Sequence, residues 1–316
     1  MRRLALAAGV VGAMLMASAS RADEAFVTDQ QGNAVIVLDM PSGRRLARIP
    51  VPGHPAGIAL SPDAARAYVT SPDGQTVTLI NAGTHEVARS VRVAGGPLGI
   101  AVSPDGRVVF VADWYGTRVV ALDAGTLAEI GAVEVGHSPS GLAVTPDGAM
   151  LVVADRMDNE LSLVDTARMV RVATVAVGAH PFGVAIDAAG ARAFAADVES
   201  DDVAVVDLRT ATLIGKIPTG KRPYVVALAG GRGFVTNEQS GSLTAFDLAT
   251  LKPLGMVDVG EAPEGIEASA DGQRVYVANW MDGTMSVVDV ARLKSIATFP
   301  AGDSPRAFGR FLRTAR

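Results

Sequence analysis

The chain repeats itself seven times, and that period constrains its fold more than any other feature. Units of 42 residues run end to end over 25–66, 67–108, 109–150, 151–192, 233–274 and 275–316, with one of 40 over 193–232. They use every residue from 25 onward and leave no linker. The length of 316 residues would allow two domains, but an unbroken repeat argues for one. Each unit opens with a short β-rich run, such as Ala67, Tyr68, Val69 and Thr70. A polar turn follows, then an alternating run that ends in Asp or Asn, as over residues 34–39. A third run, such as 132–135, leads to a Gly-x-x-Pro-x-Gly turn and a fourth run, such as 99–103, which stops at Pro104, Asp105 and Gly106.

Period-two runs of four to six residues, punctuated by Gly, Pro and Asp, read as antiparallel strands. Four strands in about 40–45 residues is the spacing of a propeller blade. β-branched enrichment and the recurrent Pro-Asp-Gly turns argue against helical repeats, and a parallel β-helix uses shorter coils. The expectation is an all-β, seven-bladed β-propeller of four-stranded antiparallel blades over residues 23–316. The repeat phase predicts how the ring closes. The chain enters at the second strand of a blade and leaves through 306–312, which align with the innermost strand of the other units. The C-terminal strand is therefore expected beside residues 25–28, leaving no open sheet edge.

Residues 1–22 have the layout of a secretory signal peptide: basic Arg2 and Arg3, an uncharged run over 4–17, and the small-residue sites 17–19 and 20–22. The expected destination is the periplasm. No later segment has the apolar length of a membrane span. Removing this segment takes Arg2, Arg3 and Arg21 from the 28 basic residues and nothing from the 33 acids, leaving a net charge of −8. Such a chain repels phosphate backbones, which disfavours nucleic acid as a partner. With no cysteine, disulfides, thiol catalysis, thiolate metal sites and covalent c-type haem attachment through the chain's own cysteines are all excluded.

Phe234, Val235, Thr236 and Asn237, with Val275, Tyr276, Val277, Ala278 and Asn279, resemble the signature of YVTN-type propeller repeats. Residues 99–106 extend the likeness. The whole chain beyond residue 22 resembles the periplasmic YncE-like proteins of the WD40/YVTN repeat-like superfamily. That resemblance implies the fold. For function it implies a range: nucleic-acid or surface roles, association with quinone-dependent dehydrogenases, haem d1 binding, or lactonase activity.

Function is expected where the repeats differ. The loop before the innermost strand and the loop after the signature strand should share one face around a channel mouth. Just before the Pro of the first loop stand His54, Gly96, Ser138, His180, Arg222, Ala262 and Ser304; just after it stand Ala56, Leu98, Ser140, Phe182, Tyr224, Glu264 and Arg306. His54, His137 and His180 are either loop histidines capping turns or imidazoles converging on a metal, a haem iron or a proton. His85, in an outer turn, should be solvent-exposed. Trp114 and Trp280 occupy one repeat position, with Tyr115 and Met281 beside them; they either pack between loops or stack on a planar ligand. Lys221, Arg222 and Arg306, with Tyr224, either are ordinary surface or pair with a carboxylate or phosphate. Asp29, Asp113, Asp155, Asp197, Asn237 and Asn279 read mainly as turn residues, and otherwise as a ring for a hard cation. In the inner strands, Glu267 replaces a recurrent Ala and Arg310 an aliphatic residue, which predicts an inter-blade ion pair or, failing that, a channel-lining acid.

The chain lacks a Walker loop, a dinucleotide fingerprint, a GxSxG elbow and a zincin motif. The leading expectation is a monomeric, non-catalytic binding or scaffold propeller that takes a small molecule, a metal or a periplasmic protein at the channel mouth. An accessory or cofactor-carrying component of a quinone- or haem-dependent redox system is the second. A lactonase-like hydrolase using a His and Glu264 is the third. No cofactor is specified by the residues.

Overall fold

The structure, a computed structural model, describes residues 23–314. Seven antiparallel sheets surround one axis, as the repeat requires. Blade 3 shows the plan: an inner strand Pro97–Val102, then Val108–Asp113 and Arg118–Asp123, then an outer strand Glu129–Glu134. The middle strands are buried almost throughout because both their faces meet neighbouring blades. Outer strands alternate toward solvent. The apolar cores lie between blades. One joins Val152 and Leu163 of blade 4 to Ala193 and Val206 of blade 5, and another joins Phe194 of blade 5 to Phe246 of blade 6.

The repeated residues tie blade to blade. The signature Thr reaches the next inner strand: Thr28 Oγ1 donates to the Ala56 carbonyl, Thr70 Oγ1 to Leu98 at 2.6 Å, and Thr236 Oγ1 to Glu264 at 2.9 Å. Around the axis the inner strands crowd one another. A Cβ at Gly99 would lie 1.8 Å from the Ser140 carbonyl oxygen, so only glycine fits there.

The ring closes where the sequence predicts, through a strand with more slack than its counterparts. Leu312–Arg313 pairs with Ala25 and Glu24, and Pro305 bridges Asp29. In blade 3 the partner of Val109 is Val102, five residues after Pro97. The partner of Ala25, the equivalent residue, is Leu312, seven after Pro305. The two extra residues let Phe308–Arg310 leave blade 1 and run parallel to Gly57–Leu60 of blade 2, whose sheet becomes five-stranded. The tail packs Ala307, Phe311 and Leu312 into a core shared by blades 7, 1 and 2.

Two carboxylates further secure the closure. Asp29 Oδ1 accepts from the amides of Asp303 and Ser304 at 2.9 and 3.0 Å, as Asp113 Oδ1 accepts from Gly96 within blade 3. The tail is thus held by the turn chemistry that holds the covalently continuous blades. Glu267 Oε2 accepts from the amides of Phe311 and Leu312 at 2.5 and 2.6 Å. The expected partner Arg310 stands farther off, its Nε 4.0 Å from Oε1. Glu267 therefore seals the ring mainly through backbone amides, with the ion pair as a long supplement.

His85 departs from expectation. It is only 20% exposed, lies edge-on to Phe26, and sits 3.2 Å from Glu24, which also binds Arg313 at 2.9 Å. An outer turn of blade 2 thereby touches the closure.

Candidate functional site

The loops before the inner strands and those after the signature strands do share one face, and they are bonded to each other. Trp114 N donates to Gly96 O, Val198 N to His180 O, Glu238 N to Arg222 O, and Trp280 N to Ala262 O. The backbone at the pre-Pro position is unusual. His54, Ser138, His180, Arg222 and Ala262 all have φ between 49° and 57°. Non-glycine residues visit this left-handed region seldom, and the repeated turn fixes them there.

The expected mouth is filled. Ala56, Leu98, Phe182, Val198 and Phe308 form a buried apolar cluster, with Trp114 and Tyr224 against it. Phe182 is its hub. Its ring centroid lies 4.6 Å from Tyr224, 5.0 Å from Phe308 and 6.1 Å from Trp114. Trp114 packs on its other side against Arg156, 5.5 Å from the ring centroid. The face is a plugged surface rather than an open channel, because the post-Pro residues Leu98, Phe182 and Tyr224 meet at the axis with Phe308 of the tail. Trp114 is thus a packing residue, while Tyr115 beside it is 66% exposed.

The three loop histidines do not converge. His54 Nδ1 is 2.6 Å from Asp73, His137 Nδ1 is 3.1 Å from Asp158, and His180 Nδ1 is 4.0 Å from Glu199. Each turns to an acid of the adjoining loop. Among the described residues no three His, Asp or Glu side chains gather as a metal would need. Asp113 and Asp197 take loop amides of Gly96 and Gly178, and Asn279 donates to Thr284 and Ser286, so this series does turn work. Asp155 and Asp197 are buried enough that desolvation pushes them up to about 7 and about 8. Glu264 pairs with Arg306 rather than with a histidine, so the acid–histidine pair of a lactonase-like site is not formed.

What the structure does bring together is one sector around Tyr224. Arg222 Nε lies 3.3 Å from Glu238 and Arg306 Nε 3.4 Å from Glu264. Arg306 also stacks over Trp280 and Phe308, at 5.4 and 5.5 Å from the ring centroids. Glu264 is 3% exposed, and burial pushes its carboxyl up to about 7 against the pull of Arg306. Burial likewise raises the Tyr224 phenol, with Glu264 adding to the effect. Arg222 Nε, Glu264 Oε2, Trp280 Nε1 and Arg306 Nε are all buried without a hydrogen-bond partner. Beside them a depression of about 550 Å³ is lined by Arg222, Glu238, Ala262 and Met281.

Glu238 was not singled out from sequence. Its position in the turn after Asn237 looks like any polar loop residue, and only the fold sets it against Arg222. Phe308 was legible as part of the closing strand, but not as the lid of the axis.

A sequence model of the YNCE-like β-propeller family matches residues 5–314. No curated protein matches the chain. Among solved structures, hydrazine synthase of Kuenenia stuttgartiensis is similar at 22% identity and a TM-score of 0.73, covering 81% of this chain and 89% of that one. A functionally unknown protein from Desulfotomaculum acetoxidans is similar at 14% identity and 0.78, covering 89% and 98%. The dihydro-heme d1 dehydrogenase NirN, solved in complex with DHE, is similar at 18% and 0.68, covering 96% and 77%. At these identities the likeness is one of fold. With the family match spanning nearly the whole chain, seven blades in place and the signature Thr residues tying them together, the chain belongs to the YNCE-like β-propeller family.

Proposed function

We propose that this propeller is a binding protein of the periplasm whose signature-loop face takes a small organic anion with a flat apolar part. The carrying observation is the buried sector around Tyr224, where Trp280 Nε1 has no partner and Arg222 Nε and Arg306 Nε meet Glu238 and Glu264 only in ion pairs of 3.3 and 3.4 Å that miss hydrogen-bond geometry. Buried polar groups are nearly always satisfied, so a group of them in one sector calls for a partner from outside the chain. The three nitrogens are donors, which suits an acceptor-rich anion. Trp280 and Tyr224 offer ring surface for its apolar part. Glu264, with its raised pKa, sheds its charge easily and so does not oppose an anion. Nothing in this sector supplies a nucleophile with a base to activate it, which favours binding over catalysis.

Trp114 and Trp280 are the only tryptophans, so Trp114→Phe leaves Trp280 as the sole indole reporter. Titration of that variant with 1-naphthoate and 1-naphthyl phosphate should change the fluorescence saturably. Adding Arg306→Gln should weaken binding at least tenfold. If neither probe binds, or if the Gln variant binds as tightly, the reading is wrong. Export is checked by cell fractionation: the mature protein should appear in the periplasmic fraction and begin near Asp23.

A further inference from the structure

The opposite end of the axis carries a second, chemically different cavity. Below the aromatic plug the inner strands enclose about 660 Å³. Its wall is aliphatic: Ile100, Leu142, Val184, Val226 and Ile266 among others, reaching down to Pro62, Pro104 and Pro146 of the Pro-Asp-Gly turns. Among the described residues only two charged side chains line it, Glu267 and Arg310. They are not equivalent. Glu267 Oε2 is committed to the amides of Phe311 and Leu312. Arg310 makes no hydrogen bond through its guanidinium among the described residues, and its one ion pair is at 4.0 Å. Half of its side chain is exposed, and in this part of the chain exposure is to the channel. The tail's two extra residues place it there, by moving Phe308–Arg310 off blade 1 and onto blade 2.

A volume of this size falls within the range of small-molecule sites, and such sites combine an apolar wall with few convergent polar groups. One under-used cation in an aliphatic chamber closed at its far end selects an amphiphile with a single negative head. We propose that the channel is a binding site for a medium-chain organic carboxylate, its head on Arg310 and its alkyl body along Ile100, Leu142, Val184 and Val226. Burial pushes Glu267 up to about 8, so the cation faces little competing charge near neutrality. The site is independent of the signature-loop face, and either can exist without the other.

The test is calorimetric titration of the full mature chain with decanoate, decanol and butyrate. Decanoate should bind with a stoichiometry of one and at least tenfold more tightly than decanol, which lacks the charge, or butyrate, which lacks the body. Arg310→Gln should erase the preference for decanoate over decanol, and Arg310→Lys should restore part of it. Because Arg310 lies in the closing strand, a second variant sits elsewhere on the wall. Ala143→Phe fills the chamber from blade 4 and should abolish decanoate binding while leaving naphthoate binding at the other face unchanged. Absence of saturable decanoate binding, or wild-type binding by Ala143→Phe, overturns the proposal.

Discussion

The two ends of the axial channel are built on opposite rules. At the signature end the residues after each Pro vary from blade to blade, and Leu98, Phe182 and Tyr224 among them fill the axis together with Phe308 of the tail. At the Pro-Asp-Gly end several turns share one capping scheme. Ser103 caps Asp105, Thr145 caps Asp147 and Ser269 caps Asp271, and the axis between them stays open. Repetition at a ring's axis gives a hollow lined by small identical residues. Filling it, or charging it, requires breaking the repeat. Both breaks depend on the same segment, since the tail supplies Phe308 to one end and Arg310 to the other.

The severest way to break this contrast is to delete residues 305–316. That removes Phe308, Phe311 and Leu312, buried side chains worth roughly 1.5–3 kcal/mol each. The total is comparable with the roughly 5–15 kcal/mol that holds a domain folded. Thermal melting should show a large fall, and a parental melting temperature would contradict the closure described here. Next in size, Phe182→Ala should cost about 3 kcal/mol by opening a cavity at the hub of the plug. At the other end Pro104→Ala should stay within about 0.5 kcal/mol. Equal effects in denaturant melts would mean that the two ends do not differ in packing.

Glu267→Leu should cost about 2 kcal/mol, because it strands the amides of Phe311 and Leu312. Glu267→Gln keeps an acceptor and should remain close to the parent. A Gln variant as unstable as the Leu variant would show that charge, rather than hydrogen bonding, holds the tail.

The pH dependence is gentler. Asp155 and Glu264 are pushed up to about 7, and Asp197 and Glu267 to about 8, each chiefly by burial. The folded protein therefore holds these protons more tightly than the unfolded chain does. The stability they contribute is fully present below about pH 4 and is lost as pH rises through 7 to 8. The exposed turn acids Asp105, Asp147 and Asp271 have lowered values, set first by hydrogen bonds from Ser103, Thr145 and Ser269, and their contribution is lost on acidification. Melting temperature should peak on the acid side of neutrality and fall toward pH 8.5, and Asp197→Asn should flatten the fall. A rise over that interval would sink this assignment. The smallest effects belong to His54→Ala and His137→Ala, expected within about 0.5 kcal/mol because both ion pairs are solvent-exposed.

The fold was open to sequence reading because its cause is repeated. Every blade restates the alternation, and five of the seven carry the glycine at the crowded axis (Gly57, Gly99, Gly141, Gly183 and Gly265), so chance cannot supply the pattern. The closure was legible in phase but not in path. The two extra residues after Pro305 show only in the pairing register, and their diversion toward blade 2 depends on where the Gly57–Leu60 edge lies. The site was half legible. Departures from the repeat pointed to Arg222, Tyr224, Glu264, Trp280 and Arg306, which do meet. They also pointed to His54, His137 and His180, which do not, because ring position separates them and His54 and His137 are each bonded to a nearby acid. Whether Trp114 packs or binds depended on Phe182, its neighbour only across blades.

The placement of Arg313 against Glu24, 289 residues away in the chain, has a kinetic meaning. Each middle blade can form from neighbouring hairpins whose partners lie close in sequence, and such contacts assemble fast. The first blade cannot be completed until its innermost strand has been made. Six blades can thus be completed in order while the ring stays open, and the final step is one slow, long-range docking. A slow refolding phase that reports on the Arg313–Glu24 contact, and disappears when residues 305–316 are deleted, would be its signature.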